Sequence, residues 1–494
     1  MSARQISGYQ RRRSEETVLF RVVQQHWLTF VANAEDAGRA VPDFVSEEFD
    51  GFLRCGVLAH GFCRVHCDAC KHDRLVAWSC KGRGFCPSCM GRRMAEMQVH
   101  LSEQVLPEVP IRQWVLTVPK PIRYVLAYNR EACSAVLNIF LGCVSRWLKR
   151  QAKKQFGLAS VADAHPGAVT AVQRHGSAAD LNVHFHSLVT DGVFIEAAGG
   201  GRPVFKALQA PSPEDVASLS WEMCQRSIDW LRQHNLWLDA DPVDDQLAQE
   251  QPLLAACATA SLQGRVLFGN RAGSGILRLQ NPLLAERLPQ SQPAGSGFHL
   301  HAAVRAAAND TQAKATLCRY IVRPPIANDR LTVLADGRVQ LRLKRAWSNG
   351  TTHMVFEPLD FIARLVALIP PPKAHQVRFH GVFAPHHRLR KSIVPRTAAP
   401  IPLAHNQDEV SGQSVAHRHR QSWAVLLKKT FAIDVSTCAH CGGQTRVMAA
   451  VTEPAAIVRI LKHLGLPTDP PRFHPARAPP DATQLELDAF TDAA

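Results

Sequence analysis

Leu181-Asn182-Val183-His184-Phe185-His186-Ser187-Leu188-Val189 is the stretch that decides how this chain is read. Polar or small residues alternate with apolar ones, the pattern of a half-buried strand. Side chains two apart on a strand share a face, so His184 and His186 point the same way. Two imidazoles on one rigid face make half of a divalent-metal site. Alone, the pair also fits two satisfied histidines on an edge strand, so the surrounding chain must decide.

The elements around this strand predict an α+β fold with an antiparallel sheet. Residues 167–175 read as a second strand, joined to the first by a short turn at 176–180. Residues 114–118, bounded by prolines, read as a buried strand, and 130–156 as a long helix. Residues 298–304 suit a third core strand. A helix over 310–323 is stopped by Pro324-Pro325, and a hairpin follows at 330–343, turned by Asp336-Gly337. Five regions result. They are a helical lead-in (1–50), a cysteine-rich module (51–100), a main domain (105–345), a basic region (346–465) and a tail (466–494) expected to be disordered. An acidic helical insertion, about 197–255, carries Trp221, Trp230 and Trp237, expected to face the core.

Lys and Arg number 57 against 42 Asp and Glu, a net charge of +15, which suits a polyanionic partner. Residues 373–429 hold ten Lys/Arg against two Asp/Glu and seven histidines, as a DNA-contacting segment would. No stretch approaches the roughly 18 to 20 apolar residues of a membrane span, and no signal-peptide core follows Arg11-Arg12-Arg13. The expectation is a cytosolic, nucleoid-associated protein. No P-loop is present, so no nucleotide cofactor is expected.

Seven of the 14 cysteines lie between Cys55 and Cys89. In a reducing compartment such a cluster favours metal over disulfides. Cys67-Asp-Ala-Cys70 and Cys86-Pro-Ser-Cys89 are two C-x2-C pairs 15 residues apart, the spacing of a zinc-ribbon-like four-cysteine site with a structural Zn2+. Cys80 could replace one ligand, and Cys55, Cys63, His60 and His66 could form a second site. Lys81, Arg83, Arg92 and Arg93 beside the cluster suit DNA phosphates. The pair Cys438/Cys441 has no second cysteine pair after it; His417, His419 or His463 could complete it.

Of four tyrosines, Tyr320 stands out in Cys318-Arg319-Tyr320-Ile321-Val322-Arg323, flanked by arginines at the end of a short helix. Guanidiniums there would assist a phenolate nucleophile and hold a phosphate. A catalytic Mg2+ or Mn2+ on His184 and His186 would polarise a scissile phosphate, Tyr320 would attack it, and a 5′-phosphotyrosine would conserve the bond. A third ligand is needed. His301 is preferred because its strand could lie beside the histidine strand; Gln312, Gln173 and His175 are alternatives.

In this order, these residues resemble the HUH rolling-circle transposases of the insertion-sequence-ninety-one group. The resemblance spans roughly residues 15–465, and also rests on Gly350-Thr351-Thr352-His353, Cys438-x2-Cys441-Gly-Gly and Ile460-Leu461-Lys462-His463-Leu464. It implies an N-terminal zinc-binding domain and an HUH endonuclease palm of ferredoxin-like (RRM-like) fold. It also implies transposition by nicking and joining single-stranded DNA at element ends, with His184 and His186 as metal ligands and Tyr320 as nucleophile. Some members carry a second tyrosine four residues earlier, where this chain has Thr316. With one nucleophile, a second cleavage needs another protomer, a freed Tyr320, or host replication proteins. Two other readings remain: a zinc-ribbon regulator without catalysis, which fits the charge and cysteines, and a plasmid-type replication initiator or relaxase, with the same chemistry and another biological task.

Overall fold

Thr17 opens the first helix, α1 (Val18–Asp36), by accepting a hydrogen bond from Phe20 N–H with its side chain. The apolar stripe of α1, from Leu19 through Trp27 to Phe30, is buried, and α2 (Asp43–Arg54) packs beside it with Phe49 stacked on Trp27 at 3.8 Å. The computed structural model describes residues 7–8, 12–197, 201–237, 245–285, 297–395, 433–434 and 436–477. After α2 come the hairpin β1 (Phe62–Cys67) and β2 (Asp73–Ala77), helix α3 (Pro87–Gln104), strand β3 (Ile111–Thr117) and helices α4 (Lys120–Tyr128) and α5 (Arg130–Phe156). The hairpin β4 (Gly167–His175) and β5 (Leu181–Thr190) follows, then α6 (Pro213–Gln233), α7 (Pro252–Gln263), β6 (Leu277–Ala285), β7 (His299–His301) and α8 (Thr311–Ile321). The chain continues through β8 (Leu331–Val333), β9 (Val339–Arg342), β10 (Asn349–Phe356), α9 (Pro358–Leu368), β11 (Val377–Gly381), β12 (Thr445–Val451) and α10 (Pro454–His463).

The main sheet runs β7-β3-β5-β4-β11, with Arg305–Ala306 also on the β3 edge, and every pairing is antiparallel. Its central strand, β5, is covered on both sides. One face, with Trp114, Leu116, Val183 and Phe185, packs on Phe140 and Trp147 of α5. The other face sets Val169, Ala171 and Leu188 against α3 and the apolar side of α8, Leu317 and Ile321. Each such side chain contributes about 1.5–3 kcal/mol by leaving water. The two hydroxyls buried between β4 and β5, Thr170 and Ser187, satisfy each other at 2.7 Å. A second sheet, β6-β10-β9-β8, includes the expected hairpin, with Gly337 at φ +84° in its turn. A third, β12-β1-β2, joins the far ends of the chain.

Two expectations are corrected. Trp221 does not face the core but is 63% exposed, because α6 buries the stripe of Leu219, Met223, Cys224 and Leu231, and Trp221 falls on the opposite side. Residues 466–477 of the tail are ordered: Gln24 of α1 donates to Arg472 O and accepts at its own carbonyl from His474 N–H, while Phe473 packs on the core. The basic region 373–429 supplies strand β11 to the main sheet; most of its remainder lies outside the described residues, as do His417 and His419. Among the described residues no helix is long and apolar enough to cross a membrane.

A buried ion network closes one end of the sheet. Arg112 of β3 grips Asp191 through Nε (2.6 Å) and Nη2 (3.0 Å), donates to Ala302 O from Nη1, and shares Asp191 with Arg305 (2.6 Å). Removing one member leaves an uncompensated buried charge. Asp191→Ala is expected to lower unfolding stability by about 3–5 kcal/mol, measured by denaturant titration; a change under about 1 kcal/mol would show that the network is not what pins this edge.

Candidate functional site

β5 carries His184 and His186 onto the face covered by α8, as the two-residue period requires. Their rings sit 4.7 Å apart, and His186 stands edge-on to the Tyr320 ring at 5.3 Å. Both histidines are buried, and burial pushes their pKa values down, His184 to about 4 and His186 to about 2, with Arg323 adding to the effect. They are therefore neutral near pH 7, with lone pairs free to bind a cation. His184 Nδ1 donates to Asn182 O (2.8 Å), which turns Nε2 outward. Nδ1 of His186 meets the Gln113 side-chain amide at 3.1 Å, and its buried Nε2 has no hydrogen-bond partner. Amide orientation is interchangeable, so a turned Gln113 would accept from Nδ1–H and leave the Nε2 lone pair free.

Helix α8 starts on Asp310, whose side chain accepts from Ala313 N–H, and ends just before Pro324-Pro325. Its apolar residues face the sheet, which leaves Tyr320 at the rim, 41% exposed. Gln173, opposite His184 on β4, donates from Nε2 to Tyr320 O (3.0 Å) and Ile321 O (2.8 Å) and so fixes the end of the helix. His175 Nε2–H donates to Arg323 O (3.2 Å). The Arg323 guanidinium lies 4.4 Å from the centre of the Tyr320 ring, and its buried Nε is unpaired. Arg319 turns away to Thr316 Oγ1 (3.4 Å). Tyr124 donates to Asp245 and Tyr128 to Ala367 O, both away from the histidines; Tyr9 lies outside the described residues.

The expected third ligand, His301, is not beside the histidine strand. β3 lies between, pairing Val115 with both His301 and His186, and His301 is exposed. Gln312 sits two turns before Tyr320 and is exposed. Gln173 is closer, and its buried Oε1 has no partner. Gln113 is the residue that sequence reasoning missed. Its signal was its place on β3, on the same face as Val115.

The cysteines group differently from the C-x2-C arithmetic. Cys67 and Cys70 do not join Cys86 and Cys89. Instead Cys55, Cys80, Cys86 and Cys89 form one cluster, and Cys67, Cys70, Cys438 and Cys441 another. The hairpin is the reason. Cys67 and Cys70 form its tip, while the Gly56 N–H to Trp78 O bond and the Phe62–Ala77 pairing hold Cys55 and Cys80 at its open end, a six-residue strand of roughly 20 Å away. There Cys86 caps α3, Pro87 starts it, and Cys89 lies one turn on. At the tip, β12 pairs with β1, Thr445 opposite Cys67, and brings Cys441 alongside. The residues grouped with the late pair are therefore the cysteines Cys67 and Cys70, not His463.

Sulfur spacings fit zinc. Four thiolates at about 2.3 Å from a zinc ion stand roughly 3.7 Å apart. The observed contacts are Cys55–Cys89 3.7 Å, Cys55–Cys86 3.7 Å, Cys80–Cys89 3.3 Å, Cys67–Cys441 3.5 Å and Cys70–Cys438 3.6 Å. Lys71, Lys81 and Gly442, each directly after a cysteine, take positive φ, so the backbone turns around the sulfurs; Gly82 N–H and Gly443 N–H donate to Cys80 and Cys441 Sγ. Of the basic residues named beside the cluster, Arg92 pairs with Glu96, Arg93 donates to Lys81 O and Arg83 to Ala374 O.

Comparison with known proteins places the chain among transposases. A transposase family matches residues 167–392, and the transposase zinc-binding domain family matches residues 22–118. A curated relative, the transposase for insertion sequence element IS801 of Pseudomonas savastanoi pv. phaseolicola, is 21% identical over 418 residues, 83% of this chain and 85% of the relative. No solved structure matches.

Two zinc ions per chain are expected by elemental analysis of the purified protein. Cys441→Ser should reduce this to one and leave the Cys55 cluster loaded. Loss of both ions would mean that the two clusters are not independent sites, and loss of neither that Cys441 is not a ligand.

Proposed function

We propose that this chain, which belongs to the insertion-sequence-ninety-one family of transposases, cuts and rejoins single-stranded DNA through Tyr320. The observation that carries the reading is the meeting of His184, His186, Tyr320 and Arg323 on one face of the main sheet. We take that sheet, with its central histidine strand and covering tyrosine helix, as an HUH endonuclease palm.

Tyr320 Oη attacks the scissile phosphorus, the bond to the 3′ oxygen breaks, and the 5′ end stays on the tyrosine as a phosphodiester. The phenol proton leaves to solvent, to which the rim position is open, and the departing 3′ oxygen takes up a proton from solvent to become a hydroxyl. A free 3′-hydroxyl attacking the phosphotyrosine reverses the sequence, so strand joining needs no nucleotide. Arg323 sets a fixed positive charge over the Tyr320 ring, where it can hold a non-bridging phosphate oxygen. Gln173 and His175 fix the last turn of α8 and with it the position of Tyr320. His184 Nε2, His186 Nε2 and Gln173 Oε1 would hold Mg2+ or Mn2+; the two unpartnered buried atoms, His186 Nε2 and Gln173 Oε1, support the fit. Such an ion, when bound, supplies charge that polarises the phosphate. Two structural zinc ions would keep the basic module in place against the palm. Thr316 stands where a second tyrosine would be, which leaves Tyr320 as the single nucleophile on α8.

The test is incubation of purified protein with labelled single-stranded oligonucleotides from the element ends, with Mn2+ or EDTA. A covalent protein–DNA adduct is expected with Mn2+. It should be lost in Tyr320→Phe, and reduced at least about a hundredfold in His184→Ala. DNA binding with no adduct, equal in wild type and variants, would favour a regulator without catalysis.

A further inference from the structure

A cavity of about 420 Å3 lies next to the site, walled by the loop between Cys80 and Cys86, by α3, by β4, by the end of α8 and by residues 373–377. The chemistry at Tyr320 leaves it unfilled. Its cations are Arg83 and Arg93 from the cysteine module, Lys373, and Arg323 from beside the tyrosine; among the described residues no carboxylate lines it. Arg174 also borders it, but its guanidinium is bound to Ala127 O and Ala367 O. Met90, Met97, Val172, Ile321 and Pro325 give it an apolar wall. Positive rim, apolar wall and this volume match one nucleotide: a phosphate needs cations, and a base buries its flat faces against apolar side chains.

Position says which nucleotide. Arg323 lines the cavity and also covers the Tyr320 ring. Gln173 lines it and also holds the Tyr320 carbonyl. A strand whose phosphate lies at Tyr320 therefore passes directly into it. We propose that the cavity binds the nucleotide flanking the scissile phosphate, with its phosphodiester on Arg93 and Lys373 and its base against the Met97 wall. This rests on the nuclease reading above. The cavity makes the cysteine module part of the substrate site: Glu48 of α2 accepts from Arg83 N–H and Gly84 N–H, and Arg93 donates to Lys81 O, so the zinc-held loop positions the cations.

The experiment uses full-length, zinc-loaded protein in a Tyr320→Phe background, so that binding is read without cleavage. Affinity is measured by fluorescence anisotropy for a series of oligonucleotides, each with one neutral methylphosphonate linkage or one abasic residue. The same series is repeated with Arg93→Gln/Lys373→Glu, with zinc content as the check on folding. The expected result is one position, adjacent to the cut mapped with wild-type protein, where either change weakens binding about tenfold. There the methylphosphonate should cost the Arg93/Lys373 variant less than about twofold. Equal losses at every linkage, or the same profile in variant and parent, would overturn the assignment. An adduct formed by wild type together with a flat profile would overturn the cavity alone. Failure to form any adduct would overturn the nuclease reading itself.

Discussion

Everything at this site depends on β5 being buried on both faces. A strand offers alternate side chains to opposite sides. Here Val183 and Phe185 fill the core under α5, which leaves His184 and His186 no choice but the opposite face. A slip of one residue would put imidazoles into the apolar core and Phe185 beside Tyr320. The cost of burying polar rings without partners therefore protects the register that sets both histidines beside Tyr320. The same burial keeps both imidazoles neutral.

The tyrosine is placed by a different kind of contact. α8 lies on the sheet through Leu317 and Ile321, and Gln173 ties its last carbonyls. Two strands and one helix end thus converge on a small volume in which His186, Gln173 and Arg323 each keep a buried polar atom without a partner. Buried polar atoms are nearly always paired in stable proteins, so three in one place mark where a ligand belongs.

The cysteine clusters solve a separate problem. The β1–β2 hairpin is short and offers little core of its own, with Leu58 and Phe62 meeting Ile457 and Leu461 of α10. Four-thiolate zinc sites are worth about 10 kcal/mol or more to such a module. One cluster anchors the open end of the hairpin to α3. The other clamps residues near 440 to those near 70, so that β12 becomes a strand of an N-terminal domain.

Features that depend on neighbours along the chain are legible in the residues themselves. The histidine strand, its hairpin partner, the long helix over 130–156 and the helix stop at Pro324-Pro325 follow from local periodicity and backbone restriction. The C-x2-C pairs follow from the short turn that a metal imposes. How eight cysteines divide into two sites is not legible there, because it depends on which end of a roughly 20 Å hairpin each thiol occupies and on a contact between residues 374 apart. For the same reason the sequence makes His301 look closer than it is: the strand that separates it from His186 comes from residues 111–117, far away along the chain. The sequence by itself determined the types of residue and the local faces they share. Only the tertiary structure decided which faces meet, since strand order and helix docking are set by burial summed over the whole core and not by any local period.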